Sequence, residues 1–194
     1  MAPRILAFSG SLRRASWNHH LVAVAAAGAA AAGADVQLIR LVDYPLPVFN
    51  EDLEADSGLP EAATRLKDLF RQHHGLLIAI PEYNSSISAA LKNAIDWISR
   101  PDEGFPPLDC FSGKVAGIMA TSPGALGGIR GLPTTRLILS SIGVTVHPGQ
   151  IALPHCEKAF DDDGSMRDPA MKDLVENIGR SVAELAAGRA GDRT

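Results

Sequence analysis

The sequence is poor in cysteine and has no excess of positive charge, and each shortage excludes a class of protein. Cys110 and Cys156 are the only cysteines in 194 residues. Without Cys-x-x-Cys spacing they fit neither a disulfide scaffold nor a zinc knuckle. A formal net charge of −4 provides no general basic field for nucleic acid and no polybasic membrane patch. We therefore expect a cytoplasmic protein, without nucleic-acid or membrane partners, whose ligand is held by a local site.

Motifs that mark several common enzyme classes are also missing. The chain has no Gly-x-Ser-x-Gly turn, no Walker loop ending in Gly-Lys-Ser/Thr and no Gly-x-Gly-x-x-Gly fingerprint. Three groups of potential metal ligands, His19-His20, His155-Cys156 and residues 161–163, lack the spacing of a metal site. These absences argue against a serine hydrolase, a nucleoside triphosphatase and a metalloenzyme.

Short apolar runs alternate with longer helical patterns, as in the βα units of a parallel sheet. With 46% hydrophobic and 21% charged residues, a chain of this length can bury one substantial core, so we predict one domain over residues 1–194. Strands are predicted at residues 4–9, 36–41, 76–80, 114–121 and 144–153, and helices at 16–32, 59–73, 88–99, 134–142 and 169–187. The predicted fold is a doubly wound, three-layer α/β/α domain with a five-stranded parallel sheet.

Three segments at the ends of these strands are candidates for the ligand site. In doubly wound sheets, ligands lie beyond the carboxyl ends of the strands, near the switch in strand order. The segments after the first, third and fourth strands are rich in small, hydroxyl and amide residues. We therefore expect these segments to form one site.

The first segment runs from Gly10 to Asn18 and joins a strand to a helix N-terminus. Free N–H groups and the positive end of a helix dipole suit a phosphate there. Ser11, Ser16 and Asn18 could hydrogen-bond phosphate oxygens, and Arg13 could add charge. The alternative interpretation, in which Ser16 is only an N-cap and Arg13 only a solvated loop residue, stays open.

The second segment, residues 81–85, follows a strand predicted to be buried on both sides. Tyr83 offers a flat face and a hydroxyl, while Asn84 and the loop amides could meet the polar edge of a planar heterocycle. Equally, proline and asparagine are ordinary turn formers, and a tyrosine can simply cover a core. The third segment, residues 121–128, would let its backbone approach a ligand closely, although alone it is only a flexible loop.

Three motifs in succession make the chain resemble a known family. They are Gly10-Ser11-Leu12-Arg13 with Ser16 and Asn18, then Pro81-Glu82-Tyr83-Asn84, then Leu91-Lys92-Asn93-Ala94-Ile95-Asp96-Trp97. Over about residues 4–155 the chain resembles the NADPH-dependent FMN reductase family, which has a flavodoxin-like fold and includes quinone, azo-dye and chromate reductases. Each motif is common alone, and the set is specific.

The resemblance implies FMN as the cofactor and NADPH or NADH as the electron donor. It implies that the FMN phosphate lies in the first segment and the isoalloxazine along the second, with the third closing the other side. The implied cofactor-binding residues are Ser11, Arg13, Ser16, Asn18, Pro81, Glu82, Tyr83, Asn84, Ser85, Ser122 and Gly124.

The resemblance also bears on assembly. Family members are commonly homodimers or homotetramers with the flavin near the subunit interface, so Trp97 is a candidate interface residue. A core position for its indole is an equal alternative. The chain departs from many relatives at residues 131–136, where we expect Pro133 to delay the fourth helix. That departure bears on the tetramer contacts and the shape of the substrate mouth.

The implied activity is the reduction of quinones, flavins, azo dyes or similar acceptors by NAD(P)H, with ping-pong kinetics. The flavin carries this chemistry, so we nominate no catalytic side chain. The alternative is a non-enzymatic FMN electron carrier, a class that usually encloses its flavin with acidic, aromatic-rich loops. Aromatic residues make up only 5% of this chain, which favours the enzyme.

Overall fold

Five parallel strands form the centre of the structure, a computed structural model that describes residues 1–190. They span Arg4–Ser9 (β1), Asp35–Arg40 (β2), Gly75–Ala79 (β3), Val115–Thr121 (β6) and Thr145–Leu153 (β7). Their order in the sheet is β2-β1-β3-β6-β7, so the direction of winding reverses between β1 and β3. The predicted five-stranded doubly wound sheet is confirmed, and its reversal point is where ligands of this fold lie.

Helices cover both faces of the sheet. They span Trp17–Ala31 (α1), Glu51–Ser57 (α2), Glu61–Gln72 (α3), Ala89–Ile98 (α4), Gly131–Ser141 (α5), Cys156–Ala159 (α6) and Pro169–Ala190 (α7). Because side chains alternate along a strand, Ile5 and Ala7 pack with α1 and α7, while Leu6 and Phe8 pack with α3 and α4. None of the helices within residues 1–190 is long and apolar enough to cross a membrane.

Helices α1 and α7 cross at a glycine on each side. A Cβ atom on Gly28 would lie 2.1 Å from the carbonyl oxygen of Glu176, and one on Gly179 would lie 1.8 Å from that of Ala25. Close backbone contact of this kind excludes any larger side chain. The N-terminal end of α1, which adjoins the first candidate segment, is therefore fixed by a tightly packed helix pair.

The sequence patterns do not predict four short elements. These are a 3-10 turn at Leu41–Asp43, helix α2, a hairpin of Glu82–Tyr83 (β4) and Ser86–Ile87 (β5), and helix α6. Helix α2 has no buried residue, and each strand of the hairpin has two residues. Neither length nor apolar periodicity could reveal them.

The expectation that Pro133 delays the fourth helix is wrong. Helix α5 begins at Gly131, two residues before the proline. N–H groups in the first turn of a helix have no intrahelical partner, so the proline there removes no hydrogen bond. The departure from relatives therefore does not shorten this helix.

The interpretation of Trp97 as an interface residue is also wrong. Its side chain is fully buried within the chain, and its Nε1 donates a hydrogen bond to the carbonyl oxygen of Pro47 at 2.8 Å. Asn93 binds the same segment, donating to Pro47 O at 2.8 Å and accepting from Phe49 N at 2.8 Å. These two motif residues hold the segment after β2 against α4.

Candidate functional site

Three loops meet beyond the carboxyl ends of β1, β3 and β6. We call residues 10–16 the first loop, residues 82–87 the hairpin and residues 122–130 the third loop. They border a large cleft of about 580 Å³ and a small cleft of about 110 Å³. Ser11, Arg13 and Tyr83 line both clefts, which therefore adjoin. The structure brings the three predicted segments together.

Nine of the eleven predicted cofactor-binding residues line one or both clefts. They are Ser11, Arg13, Ser16, Asn18, Pro81, Glu82, Tyr83, Asn84 and Ser122. The other two, Ser85 and Gly124, lie in the loops that border the clefts. Placement beside a cleft makes binding possible, while the contacts of each side chain decide what it can bind.

The first loop is a succession of serine-stabilised turns. Ser11 N donates to Ser9 Oγ at 3.2 Å, and Arg13 N donates to Ser11 Oγ at 3.2 Å. Each contact is a side chain bonding a backbone N–H two residues ahead, which holds a loop in a turn. The serine oxygens accept in these bonds, so the Ser11 hydroxyl hydrogen can be donated to a ligand.

Ser16 and Arg13 fit both interpretations left open by the sequence, a helix cap beside a solvated loop residue and a phosphate site. Ser16 caps α1, since its Oγ accepts from His19 N at 3.3 Å, and its hydroxyl hydrogen remains available to donate. Within the described chain the Arg13 guanidinium forms no ion pair or hydrogen bond, and it is exposed beside this helix N-terminus. The arrangement is a set of donors with an unpaired cation, which suits an anion.

Asn18 is less available than the sequence suggests. Its Nδ2 donates to Thr121 O at 2.9 Å, and its Oδ1 accepts from Thr121 N at 3.0 Å. The side chain is buried and joins the start of α1 to the end of β6. Only one amide hydrogen remains for a ligand, so the main role of Asn18 in this structure is to fix one wall of the small cleft.

The hairpin turns at two residues in the left-handed region. Asn84 has φ 51° and Ser85 has φ 64°, as a two-residue type I′ turn requires. The turn carries Tyr83, whose side chain is 52% exposed at the junction of the two clefts. Pro81 before it is buried. The tyrosine is therefore presented on a short, geometrically defined support and does not cover the core.

Glu82 connects the hairpin to the third loop. Its carboxylate accepts from Arg130 N at 2.8 Å and lies 3.8 Å from the Arg130 guanidinium. The third loop is also pressed against β7, where a Cβ atom on Gly127 would lie 2.7 Å from the backbone of Leu153. Among the cleft-lining residues Glu82 is the only acidic one, and its pairing with Arg130 leaves Arg13 as the uncompensated charge.

Ser88, Thr121 and Cys156 also line the clefts and are not among the eleven predicted cofactor-binding residues. Ser88 Oγ donates to Gly10 O at 2.6 Å and also caps α4. Thr121 Oγ1 donates to Leu153 O at 2.7 Å. Cys156 lines the small cleft, and burial raises the pKa of its thiol, so it stays protonated near neutral pH. The helix-capping position of Ser88 was a usable signal, while the other two depend on contacts between distant parts of the chain.

A sequence model of the NADPH-dependent FMN reductase family matches residues 3–158. The chain belongs to this family. Its match covers β1 to α6, and so includes all three loops and both clefts.

Relatives of the reductase family cover nearly the whole chain. The NAD(P)H-dependent FMN reductase of Pseudomonas aeruginosa is 36% identical over 176 residues, 89% of each chain. The probable NADPH:quinone oxidoreductase 2 of rice is 36% identical over 191 residues, covering 95% of this chain and 89% of the relative. Among solved structures, the flavoenzyme NAD(P)H:(acceptor) oxidoreductase FerB of Paracoccus denitrificans superposes with a TM-score of 0.78 at 30% identity, covering 96% and 98% of the two chains.

Proposed function

We propose that this chain is an FMN-dependent NAD(P)H oxidoreductase that reduces quinones, flavins, azo dyes or similar planar acceptors. One observation carries the proposal. The Arg13 guanidinium, which has no ion pair or hydrogen bond within residues 1–190, lies with the Ser11 and Ser16 hydroxyls at the N-terminus of α1, in a cleft that continues to Tyr83. An anion site at one end and a flat, half-open cleft at the other suit a phosphorylated planar cofactor.

The phosphate of FMN would be held by the first loop. Ser11 and Ser16 each have a hydroxyl hydrogen to donate, and Arg13 supplies charge. The first N–H groups of α1 have no intrahelical acceptor and add the positive end of the helix dipole. Asn18 would contribute one amide hydrogen and the position of the cleft wall.

The ring system of FMN would be held by the hairpin and the third loop. The residues that would contact it are Pro81, Glu82, Tyr83, Asn84, Ser85, Ser122 and Gly124. Tyr83 offers a flat surface, and the loop backbone offers N–H groups for the polar edge of the ring. Glu82 would act mainly by holding the third loop through Arg130. N–H groups at the pyrimidine edge would stabilise negative charge that develops there, as in an oxyanion hole.

Hydride acceptance from NAD(P)H and delivery of electrons to an acceptor are the chemistry that FMN supplies when bound. The chain's own contribution is position, electrostatics and access. No side-chain acid or base is assigned, and the protonated Cys156 thiol is a poor nucleophile.

The open cleft explains the expected kinetics and breadth of substrates. An open face of the flavin ring would recognise mainly flatness and reducibility, and it has few fixed polar groups with which to reject an analogue. Nicotinamide and acceptor both need contact with the same ring, so they must use it in turn. Ping-pong kinetics follow, with several quinones and related acceptors reduced.

Three measurements test this proposal in order. The purified protein should bind FMN, visible as a flavin absorbance spectrum. Anaerobic NADPH or NADH should bleach that spectrum quickly, whereas a non-enzymatic FMN electron carrier would accept hydride slowly. Double-reciprocal plots with a quinone should give parallel lines. Failure to bind FMN would overturn the proposal, and intersecting lines with strict use of one acceptor would indicate a separate substrate pocket.

We also propose a homodimer or homotetramer in a reducing, cytoplasmic compartment. Support for assembly comes from exposed apolar side chains on the three loops, Leu12, Tyr83, Leu126 and Ile129, because exposed apolar patches often mark interfaces. Both cysteines are free and buried, as a reducing compartment allows. Light scattering at several protein concentrations tests the assembly, and a monomer throughout would contradict it.

A further inference from the structure

Arg40 holds the first loop from the neighbouring strand. It is the last residue of β2 and is paired in register with Ser9, the last residue of β1. Its Nη2 donates to the carbonyl oxygen of Arg13 at 3.0 Å and to that of Arg14 at 2.6 Å. One guanidinium nitrogen thus fixes two consecutive peptide groups at the bend of the loop.

Fixing these carbonyl groups also fixes the N–H groups of the same peptides. In a planar trans peptide, C=O and N–H point in opposite directions. With the oxygens of Arg13 and Arg14 directed at Arg40, the N–H groups of Arg14 and Ala15 point away from β2. Arg40 therefore sets the orientation of donors in the loop between Arg13 and the helix cap Ser16.

Charge acts in the same direction as this geometry. Burial lowers the pKa of His19, in the N-terminal turn of α1, and the charges of Arg40 and His20 lower it further. Arg40 therefore lies close to this end of the helix. Its guanidinium is occupied by the loop carbonyls, which distinguishes it from the unpaired Arg13. Arg40 is thus a cation behind the loop, while Arg13 is a cation facing the cleft.

We propose that Arg40 is a positioning residue, which holds the first loop in its anion-binding shape through the Arg13 and Arg14 carbonyls without touching the cofactor. The inference rests on the proposed function, in which this loop binds the FMN phosphate. The preference of the site for phosphorylated over unphosphorylated flavin would then depend partly on a residue that lines neither cleft.

Substitutions at Arg40 separate geometry from charge. Arg40→Ala removes both, whereas Arg40→Lys keeps a charge but replaces a planar, two-contact donor by a flexible ammonium. Dissociation constants for FMN and riboflavin are measured from the quenching of flavin fluorescence, with urea unfolding as a check on the fold. We expect Arg40→Ala to weaken FMN binding about tenfold and riboflavin binding less than about twofold. Arg40→Lys should recover only part of the lost FMN affinity.

Chemical rescue provides a readout that a merely structural role would not move. Guanidinium chloride at low, non-denaturing concentration should restore FMN affinity to Arg40→Ala, and the same concentration of sodium chloride should not. The matched control is Arg189→Ala, which removes a guanidinium whose Nη1 also donates to two consecutive carbonyl oxygens, Gly113 O at 3.0 Å and Lys114 O at 3.3 Å, at the opposite end of the sheet from the first loop. This control should leave both affinities unchanged.

The outcomes separate failure of this inference from failure of the proposed function. Arg13→Ala is measured alongside, and if it too fails to distinguish FMN from riboflavin, the phosphate site itself is misplaced. If Arg13→Ala distinguishes them and Arg40→Ala does not, only the role of Arg40 is wrong. Full recovery of FMN affinity with Arg40→Lys would show that the charge alone is sufficient and that positioning of the loop is not. Equal weakening of FMN and riboflavin binding would show that Arg40 is a general structural residue. Each of these last two results overturns the proposal.

Discussion

Lys67 and Arg13, two cationic side chains at opposite ends of the sheet, differ in burial and in their partners. At the amino end, Lys67 is fully buried, and its Nζ donates to Ile98 O at 3.2 Å and Arg100 O at 2.6 Å. At the carboxyl end, Arg13 is exposed and unpaired within the described chain. A buried charge without partners is costly, so the lysine donates to carbonyl groups at the end of α4, while the arginine keeps its donors for a ligand.

The same contrast holds for the elements around these residues. The amino end also contains Lys114, buried and donating to the carbonyl oxygen of His73, and Cys110, whose thiol pKa is raised to about 11 mainly by burial. The carboxyl end contains two clefts and serine hydroxyls that accept locally and can still donate. Polar side chains at the amino end of the sheet are thus bonded within the protein, and we call this the closed end. Polar side chains at the carboxyl end can still bind a ligand, and we call this the open end.

The largest effect is expected from Lys67→Ala at the closed end. The substitution removes the donor to the Ile98 and Arg100 carbonyl oxygens and opens a cavity, and each defect is destabilising. We expect the free energy of unfolding in urea to fall by about 3 kcal/mol. FMN affinity of the folded protein should change less than about twofold. Lys67→Met, which fills the space but donates nothing, should lose less, and a large change in FMN affinity with unchanged stability would contradict the comparison.

Arg13→Ala at the open end should show the reverse pattern. Charged hydrogen bonds contribute roughly 1.5 to 3 kcal/mol, so we expect FMN binding to weaken tenfold or more. Riboflavin binding and the free energy of unfolding should hardly change, because the side chain makes no contact that the fold needs. Lys92→Ala, which removes an exposed cation paired with Asp96, is the matched control. Equal weakening of FMN and riboflavin would show that the phosphate does not bind there.

The open end could be predicted from the sequence much better than the closed end. Strand ends and turn-forming segments have local signals, and these signals predict the positions of the three loops. The contacts of Lys67 with the end of α4 and of Lys114 with the end of α3 join residues about 30 to 40 positions apart. A lysine within an amphipathic helix gives no sign that it will be buried.

Local signals do not reveal contacts with distant parts of the chain. Asn18 stays a predicted phosphate ligand, but its amide also bonds Thr121, 103 residues away in the chain. The sequence does not single out Arg40, because a charged residue at a strand end is usually solvated. Both act on the site through the backbone of another segment, and pairing between parallel strands is what brings those segments together.

A smaller effect is expected at the hairpin turn of the open end. Ser85 adopts φ 64°, which costs an L-residue roughly 1 kcal/mol, and glycine favours the second position of a type I′ turn. Ser85→Gly should therefore raise the free energy of unfolding by about 0.5 to 1 kcal/mol. Ser86→Gly, in strand β5, should lower it instead. If both variants are destabilised equally, Ser85 makes a contact that outweighs its backbone strain.

The smallest effect compares one histidine from each end. Burial lowers the pKa of both His73, at the closed end, and His19, at the open end, where Arg40 and His20 add to the effect. Because the folded state resists protonation of both rings, the apo protein should lose stability as pH falls below the ordinary histidine value of about 6.5.

A bound phosphate dianion favours the protonated form of a nearby imidazole. In NMR titrations between about pH 5 and 8, FMN should raise the pKa of His19 and leave that of His73 unchanged. Riboflavin should raise neither, because it lacks the phosphate. A shift at His73 as large as that at His19 would mean that the cofactor acts on the whole fold, and the separation of the two ends would be lost.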